Sequence, residues 1–216
     1  MPFSSWETVP LIVEIIKVLR PATVLDIGTG SGKWGFIARE LLDSRKGNFQ
    51  KDDFKAIIDG IEIFPEYISD YHRHIYNQIY IDDICEAIKK VGNYDLAILG
   101  SCLEHLEEEK AVDLLNALYD KCKAILITVP FGYRPQEDCF GNPYETHRST
   151  FTKSFFKEYS PFIKIIYRKR TQTGIILIHH EKHISRKLKR RFGFISSLKS
   201  LKYRLTGMTF KRPKNP

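Results

Sequence analysis

Residues 24–35, VLDIGTGSGKWG, combine an acid with closely spaced glycines. The acid and the first glycines are Asp26, Gly28, Gly30 and Gly32. Glycines at this spacing let a turn pass close beneath a ligand, and the helix that follows presents free N–H groups. A phosphate-binding P-loop needs G-x-x-x-x-G-K-[ST], and Ile27 and Trp34 break that pattern. The turn therefore predicts a nucleotide-type ligand held in some other way.

Two ligands remain for this turn. A dinucleotide fingerprint G-x-G-x-x-G fits at Gly30, Gly32 and Gly35, with Glu62 as a ribose ligand. Asp26, however, precedes the glycines at the end of an apolar run, where a pyrophosphate would feel its negative charge at short range. S-adenosylmethionine (SAM) offers a positive sulfonium and an amino group instead. The acid favours SAM, and an NAD-dependent oxidoreductase stays as the alternative.

Apolar runs of strand length alternate with helical segments along the chain. The predicted strands cover residues 23–27, 56–63, 78–81, 96–100 and 124–129. This alternation implies βαβ units and a parallel sheet that is buried on both faces. Beyond a long loop at 130–149 we predict a helix near 153–159. The β-rich runs 162–170 and 174–180 predict an antiparallel hairpin that closes the sheet.

The motifs, taken in order, resemble those of class I SAM-dependent methyltransferases. The resemblance covers roughly residues 20–180 and rests on VLDIGTGSG, GIEI, IDDI, YDLAILGSCLEHL and ILITVPFG. It implies an α/β, Rossmann-like three-layer sandwich with a mainly parallel seven-stranded sheet. It also implies a set of SAM-binding residues, namely Asp26, Gly28, Thr29, Gly30, Gly32, Glu62, Asp83 and Ser101. One departure is the long interval from Asp26 to Glu62, which a polar stretch at 43–53, predicted to lie on the surface, absorbs.

Some of these residues have a simpler interpretation. Asp83 stands where an acid of the resembled family meets the adenine amino group, but it also stands where it would cap the helix at 84–90. Asp26 would also suit a helix cap, and Glu62 a solvated strand end. We favour ligand roles for both, because open α/β sheets bind ligands at the carboxyl ends of parallel strands.

The acceptor side is predicted from two clusters. Glu104-His105 resembles the pair that follows the fourth strand in small-molecule O-methyltransferases, and His105 is the candidate base because neutral imidazole is available near neutral pH. The segment ETHRSTFT resembles one in family members that act on small molecules or glycans, and it adds His147 as a second catalytic candidate. Arg148, Tyr133 and Glu104 are predicted to contact the acceptor, a sugar, glycan precursor or other small metabolite. If Glu104 and His105 only cap a helix, the alternative function is that of a non-catalytic SAM-binding module.

The same residues are also candidate metal ligands. Glu104, His105 and His147 match in part the metal ligands of small-RNA 2′-O-methyltransferases. Ser101 stands where that pattern has another glutamate, which leaves fewer ligands. We therefore predict that no metal is bound.

The charge of the chain is concentrated at its end. The net charge is +8, yet residues 182–216 hold twelve basic and no acidic residues, which leaves about −4 for residues 1–181. We predict a methyltransferase domain over 1–181 and a basic amphipathic tail over 182–216. The tail's apolar residues recur at helical spacing, at Ile184, Leu188, Phe192, Ile195, Leu198, Leu201 and Leu205. Packing on the domain and peripheral contact with an anionic membrane are favoured equally, and RNA, which would suit an RNA methyltransferase, comes third.

The compartment is inferred from the N-terminus and the cysteines. The first residues carry no basic region, and Glu14 and Lys17 interrupt the apolar run that follows, so we predict neither a signal peptide nor a membrane span. The cysteines show no C-x-x-C pairing. A cytoplasmic location follows as an expectation.

Overall fold

The structure is a computed structural model that describes residues 4–167, 171–181 and 183–193. The chain divides into two compact units, the first ending at His180 and the second beginning at Glu181. In the first unit the described residues form one sheet of seven strands in the order β3-β2-β1-β4-β5-β7-β6. The strands are β1 Thr23–Ile27, β2 Ile57–Glu62, β3 Ile79–Ile81, β4 Tyr94–Gly100, β5 Cys122–Phe131, β6 Phe162–Tyr167 and β7 Gln172–His179.

The strand pairing confirms the predicted α/β class. β1 pairs in parallel with β2 and β4, β2 with β3, and β4 with β5, whereas β7 pairs antiparallel with both β5 and β6. The helices that alternate with the strands are α1 Val9–Leu19, α2 Lys33–Leu42, α3 Asp70–Ile75, α4 Ile84–Lys90 and α5 Glu108–Lys121. The parallel strands read as nearly continuous apolar runs because both faces of the sheet are covered. One hydrophobic core therefore holds the carboxyl ends of β1, β2 and β4 in fixed register.

The predicted helix at 153–159 is wrong. Residues 153–156 form turns, and only Lys157–Tyr159 adopts a short 3-10 helix. Phe151 forms an isolated bridge with Phe131, and Phe151 and Phe156 are both fully buried in the core. Both rings also meet the Phe155 ring edge-on, at centroid distances of 4.8 and 5.0 Å. Burial of Phe151 and Phe156, with Phe155 packed against them, outweighs the weak helical pattern of this segment.

The polar stretch at 43–53 is only partly the exposed segment that was predicted. It contains two 3-10 turns, Ser44–Lys46 and Lys51–Asp53, and neither has a buried residue. Asp43, in contrast, is fully buried and pairs with Arg39 of α2 at 2.6 Å. The stretch is therefore anchored to α2 by an ion pair at its first residue.

The second unit contains one described helix, over residues 183–193. Ile184, Leu188 and Phe192 lie on it at four-residue intervals. The rest of the predicted apolar stripe, from Ile195 onward, lies outside the described residues. Within the described part of the chain, no helix has the length and apolar character needed to cross a bilayer.

Candidate active site

A cavity of about 640 Å³ opens at the carboxyl ends of the parallel strands. Residues that follow β1, β2, β3 and β4 contribute to its wall, as does the loop between β5 and β6. The predicted residues that line it are Gly28, Thr29, Gly30, Glu62, Asp83, Ser101, Glu104, His105, His147 and Arg148. Asp26, Gly32 and Tyr133, which were also predicted, do not line it.

The glycine turn after β1 forms the floor of the cavity. Gly28, Gly30 and Gly32 adopt positive φ angles of 68°, 52° and 75°, a region that L side chains rarely occupy. A Cβ atom at Gly28 would lie 2.9 Å from Sγ of Cys102. This turn requires glycine at Gly28 for two independent reasons. Gly32 is the N-cap residue of α2 and does not line the cavity.

Glu62 ties the glycine turn to the end of β2. Its Oε2 accepts a hydrogen bond from the Gly30 N–H at 2.8 Å and one from Oγ1 of Thr29 at 3.3 Å, and its Oε1 accepts one from the Phe64 N–H at 3.0 Å. The side chain is 5% exposed, and burial raises the pKa of the carboxyl. Glu62 is therefore a rigidly held acid in the cavity wall.

Asp26 was predicted to contact a ligand directly. It lies instead beneath the glycine turn and does not line the cavity. Its Oδ2 accepts hydrogen bonds from the Gly35 N–H at 2.9 Å and the Tyr76 hydroxyl at 2.6 Å, while Oδ1 has no partner among the described residues. Burial raises the pKa of the carboxyl to about 7. The β1 strand turns this side chain toward α2, so the geometry makes it a support of the turn that leaves one buried oxygen unsatisfied.

The substitution Asp26→Asn is expected to remove a pH-dependent loss of stability. Between 3.8 and about 7 the folded protein holds a proton on Asp26 that the unfolded chain has released, so the contribution of this group to stability falls as the pH rises through that window. Relative to the variant, the wild-type free energy of unfolding should fall by about 2–3 kcal/mol between about pH 5 and pH 8.5. Urea unfolding at both pH values measures this. The exposed control Asp113→Asn should show no such change, and parallel wild-type and Asp26→Asn profiles would contradict the assignment.

Two residues at strand ends complete the same side of the cavity as the glycine turn. Asp83 caps α4, because its Oδ1 accepts a hydrogen bond from the Cys85 N–H at 2.8 Å, and it lines the cavity as well. Ser101 follows β4 with a φ of 60° and donates its N–H to the Thr128 carbonyl at 2.9 Å. A non-glycine residue in this conformation is uncommon, and such strain concentrates at functional sites.

Glu104, His105 and His147 come together on the other side of the cavity. The two imidazole rings meet edge-on with centroids 5.0 Å apart. Burial lowers the pKa of His105 and of His147, so both rings are neutral near pH 7. Glu104 is 2% exposed, and burial raises the pKa of its carboxyl to about 8.

Of the residues predicted to contact the acceptor, Arg148 lines the cavity and Tyr133 does not. The backbone N–H of Arg148 donates to the Glu104 carbonyl at 2.9 Å. This hydrogen bond joins the Glu104-His105 pair to the ETHRSTFT segment. Tyr133 is wrong as a wall residue, because its side chain is 83% exposed and lies outside the cavity lining. It follows Gly132, a positive-φ residue that turns the chain outward at the end of β5.

Sequence reasoning missed several residues of the wall. Trp34 is 2% exposed and lines the cavity, and its Nε1–H has no partner among the described residues. Glu145 accepts a hydrogen bond from the Tyr67 hydroxyl at 3.1 Å and carries a carboxyl whose pKa is raised by burial. Arg134 also lines the cavity. The only signal for Glu145 was its place in the ETHRSTFT segment, whereas Trp34 looked like an ordinary core residue.

Comparisons with known proteins give structural matches alone. No protein-family model matches the chain, and no curated protein sequence matches it. The N-terminal domain of EvdMO1, crystallised with S-adenosylhomocysteine and D-fucose, matches with a TM-score of 0.57 and 14% identity over 82% of this chain and 84% of that one. TehB from Haemophilus influenzae matches with a TM-score of 0.58 and 15% identity, over 80% and 62% of the two chains.

A third match is an O-methyltransferase family protein from Burkholderia thailandensis. Its TM-score is 0.51 at 12% identity, and the match covers 82% of this chain and 57% of that one. Together with the strand order and the antiparallel β5-β7-β6 end of the sheet, these matches confirm the predicted fold. The first unit has the class I SAM-dependent methyltransferase fold.

Proposed function

We propose that the chain is a SAM-dependent methyltransferase that methylates a hydroxyl group of a small acceptor. The observation that carries the proposal is one cavity with two chemically distinct sides. One side holds the glycine turn and the buried acid Glu62, and the other holds His105 and His147. A cofactor site and an acceptor site that share a cavity suit group transfer between two bound molecules.

The residues of the first side fit SAM, which supplies a methyl group on a positively charged sulfur. Glu62 would hold the ribose hydroxyls, and Asp83, which lines the cavity, would contact the adenine. Gly28 lines the cavity and presents only backbone to a ligand, and a Cβ atom there would clash with Cys102. Oδ1 of Asp26 and Nε1 of Trp34 are buried without partners, and such orphaned polar atoms are costly unless a ligand or water satisfies them.

The same turn disfavours a dinucleotide. A pyrophosphate is held by free backbone N–H groups of a glycine-rich turn. Here the Gly28 and Thr29 N–H groups donate to the Ile61 carbonyl, that of Gly30 to Glu62 and that of Gly32 to the Thr29 carbonyl. These donors are already used within the protein, so they are not free to bind a phosphate. The site therefore suits a cationic cofactor better than NAD.

The second side fits a hydroxyl acceptor. Methylation of a hydroxyl releases its proton, and a neutral imidazole at His105 or His147 provides a base inside the cavity. Arg134 and Arg148 line the same side and would hold an anionic or polyhydroxylated acceptor. A sugar, glycan precursor or similar metabolite meets these requirements, and D-fucose accompanies S-adenosylhomocysteine in the EvdMO1 structure.

Methyl-labelled SAM tests the proposal directly. Incubated with the full chain and a set of sugars, nucleotide sugars and phenols, it is expected to label an acceptor oxygen as an ether, because the second side of the cavity provides a base for a hydroxyl proton. Mass spectrometry of the product, with resistance to mild alkali, separates an ether from a methyl ester. Label on nitrogen or carbon would contradict the hydroxyl assignment, and failure to bind SAM would contradict the proposal as a whole.

A further inference from the structure

Glu104, His105 and His147 form a compact set of potential metal ligands. Their ligand atoms all lie within 4.8 Å of one another, and all three residues line the acceptor side of the cavity. The two histidines come from segments more than 40 positions apart in the chain. They are held together because the His147 loop folds back over the end of β4, where the Arg148 and Ser149 N–H groups bind the Glu104 carbonyl.

Both histidines are oriented by backbone carbonyls. Nδ1 of His105 donates to the Thr146 carbonyl at 3.2 Å, and Nδ1 of His147 donates to the Arg134 carbonyl at 2.6 Å. A carbonyl oxygen only accepts, so in the neutral rings the proton lies on Nδ1 and the lone pair on Nε2. Metal-binding histidines characteristically donate their second nitrogen to a carbonyl or carboxylate in this way.

The Glu104 carboxyl supplies an independent observation. The side chain is 2% exposed, yet its Oε2 has no hydrogen-bond partner within the described ranges of the chain. A buried carboxyl oxygen without a partner costs free energy that a bound cation recovers. The carboxyl that carries this oxygen belongs to the same cluster as the two imidazoles.

We propose that Glu104, His105 and His147 bind a divalent first-row transition-metal ion. Two imidazoles and one carboxylate are a common protein ligand set for a catalytic ion, which keeps its remaining positions open. Ser101 takes the place of a fourth ligand, which is why the sequence predicts no metal, but three protein ligands are enough for such an ion. Its role rests on the proposed function: the open positions would take the acceptor hydroxyl and lower its pKa. His105 and His147 would then be metal ligands in place of the base described above, and the proton of the metal-bound hydroxyl would leave to solvent.

Cobalt binding tests the site without any turnover. The full chain, freed of metal with EDTA and dialysed, is expected to bind one equivalent of Co²⁺ with visible absorption bands typical of nitrogen and oxygen ligands. His147→Ala and Glu104→Gln should each weaken this binding by about tenfold or more, since each removes one of three ligands. His74→Ala, an exposed histidine outside the cavity, is the matched control and should bind Co²⁺ as the wild type does.

Two results would overturn the site. One is the absence of Co²⁺ binding at millimolar concentration. The other is equal Co²⁺ affinity in the wild type and in His147→Ala, once circular dichroism has shown that the variant is folded. A parallel titration with S-adenosylhomocysteine in the presence of EDTA separates the two proposals. If the cofactor product binds and Co²⁺ does not, only the metal site fails. If Co²⁺ binds and the cofactor product does not, the proposed function fails.

Discussion

Replacement of Arg39 by alanine is expected to lower the free energy of unfolding by about 3–5 kcal/mol, the usual cost of breaking a buried ion pair. The Arg39 side chain is 2% exposed and pairs with the fully buried Asp43 at 2.6 Å. Its guanidinium also donates to the Ala56 and Ile75 carbonyls and to Oδ1 of Asn77. The substitution would leave the Asp43 charge buried without its partner.

Urea unfolding of the two proteins at neutral pH measures the difference. Arg45→Ala is the matched control, because Arg45 lies in the same stretch and is exposed. A surface substitution of this kind should change stability by about 0.5 kcal/mol or less. Equal stability of the wild type and Arg39→Ala would show that the ion pair does not anchor the stretch at 43–53.

The Arg39–Asp43 ion pair is a part of the fold that could not be predicted from the sequence. In KWGFIARELL, Arg39 reads as a charge on the outer face of an amphipathic helix, and Asp43 reads as the start of a polar loop. Whether a helix face meets solvent depends on what packs on it, and here the ends of β2 and α3 supply the carbonyls that bind Arg39. Such long-range partners leave no periodic signal.

Glu62→Ala is expected to weaken binding of S-adenosylhomocysteine about a hundredfold, which corresponds to the loss of one or two hydrogen bonds to a charged group. Glu62 combines two tasks, since its carboxylate faces the cavity and also accepts the Gly30 and Phe64 N–H groups that shape the turn. Its removal therefore takes away a ligand contact and leaves a buried N–H of the turn unpaired.

Calorimetric titration of folded variants measures this loss. Glu66→Ala, four residues further along and exposed, is the matched control and should bind as the wild type does. Glu62→Gln keeps a carbonyl acceptor for the turn and should retain more affinity than Glu62→Ala. Unchanged affinity in Glu62→Ala would place the ligand elsewhere.

The position of the glycine turn and Glu62, on the side of the cavity that we propose binds the cofactor, could be predicted from the sequence to a useful degree. Apolar runs end at Ile27, Glu62 and Gly100, and parallel strands bring those ends to one edge of the sheet. The direction of individual side chains could not be predicted in the same way. Asp26 turns under the glycine loop instead of into the cavity.

The acceptor side depended more strongly on loop conformation. The long loop at 130–149 brings His147 to His105, yet turns Tyr133 into solvent. The conformation of this loop follows from individual contacts, such as the donation from Nε2 of Gln136 to the Glu145 carbonyl. The motifs identify the candidate residues, but the conformation of the folded loop determines which of them come into contact.

Calorimetric titration of the unmodified full chain with S-adenosylhomocysteine, beside an identical titration with NADH, tests the central claim most directly. The Gly28, Thr29, Gly30 and Gly32 N–H groups of the turn are used internally, so it should accept the SAM product and refuse a pyrophosphate. We predict saturable binding of one S-adenosylhomocysteine per chain, displaced by SAM, and no binding of NADH. Saturable NADH binding without any binding of S-adenosylhomocysteine would contradict the account.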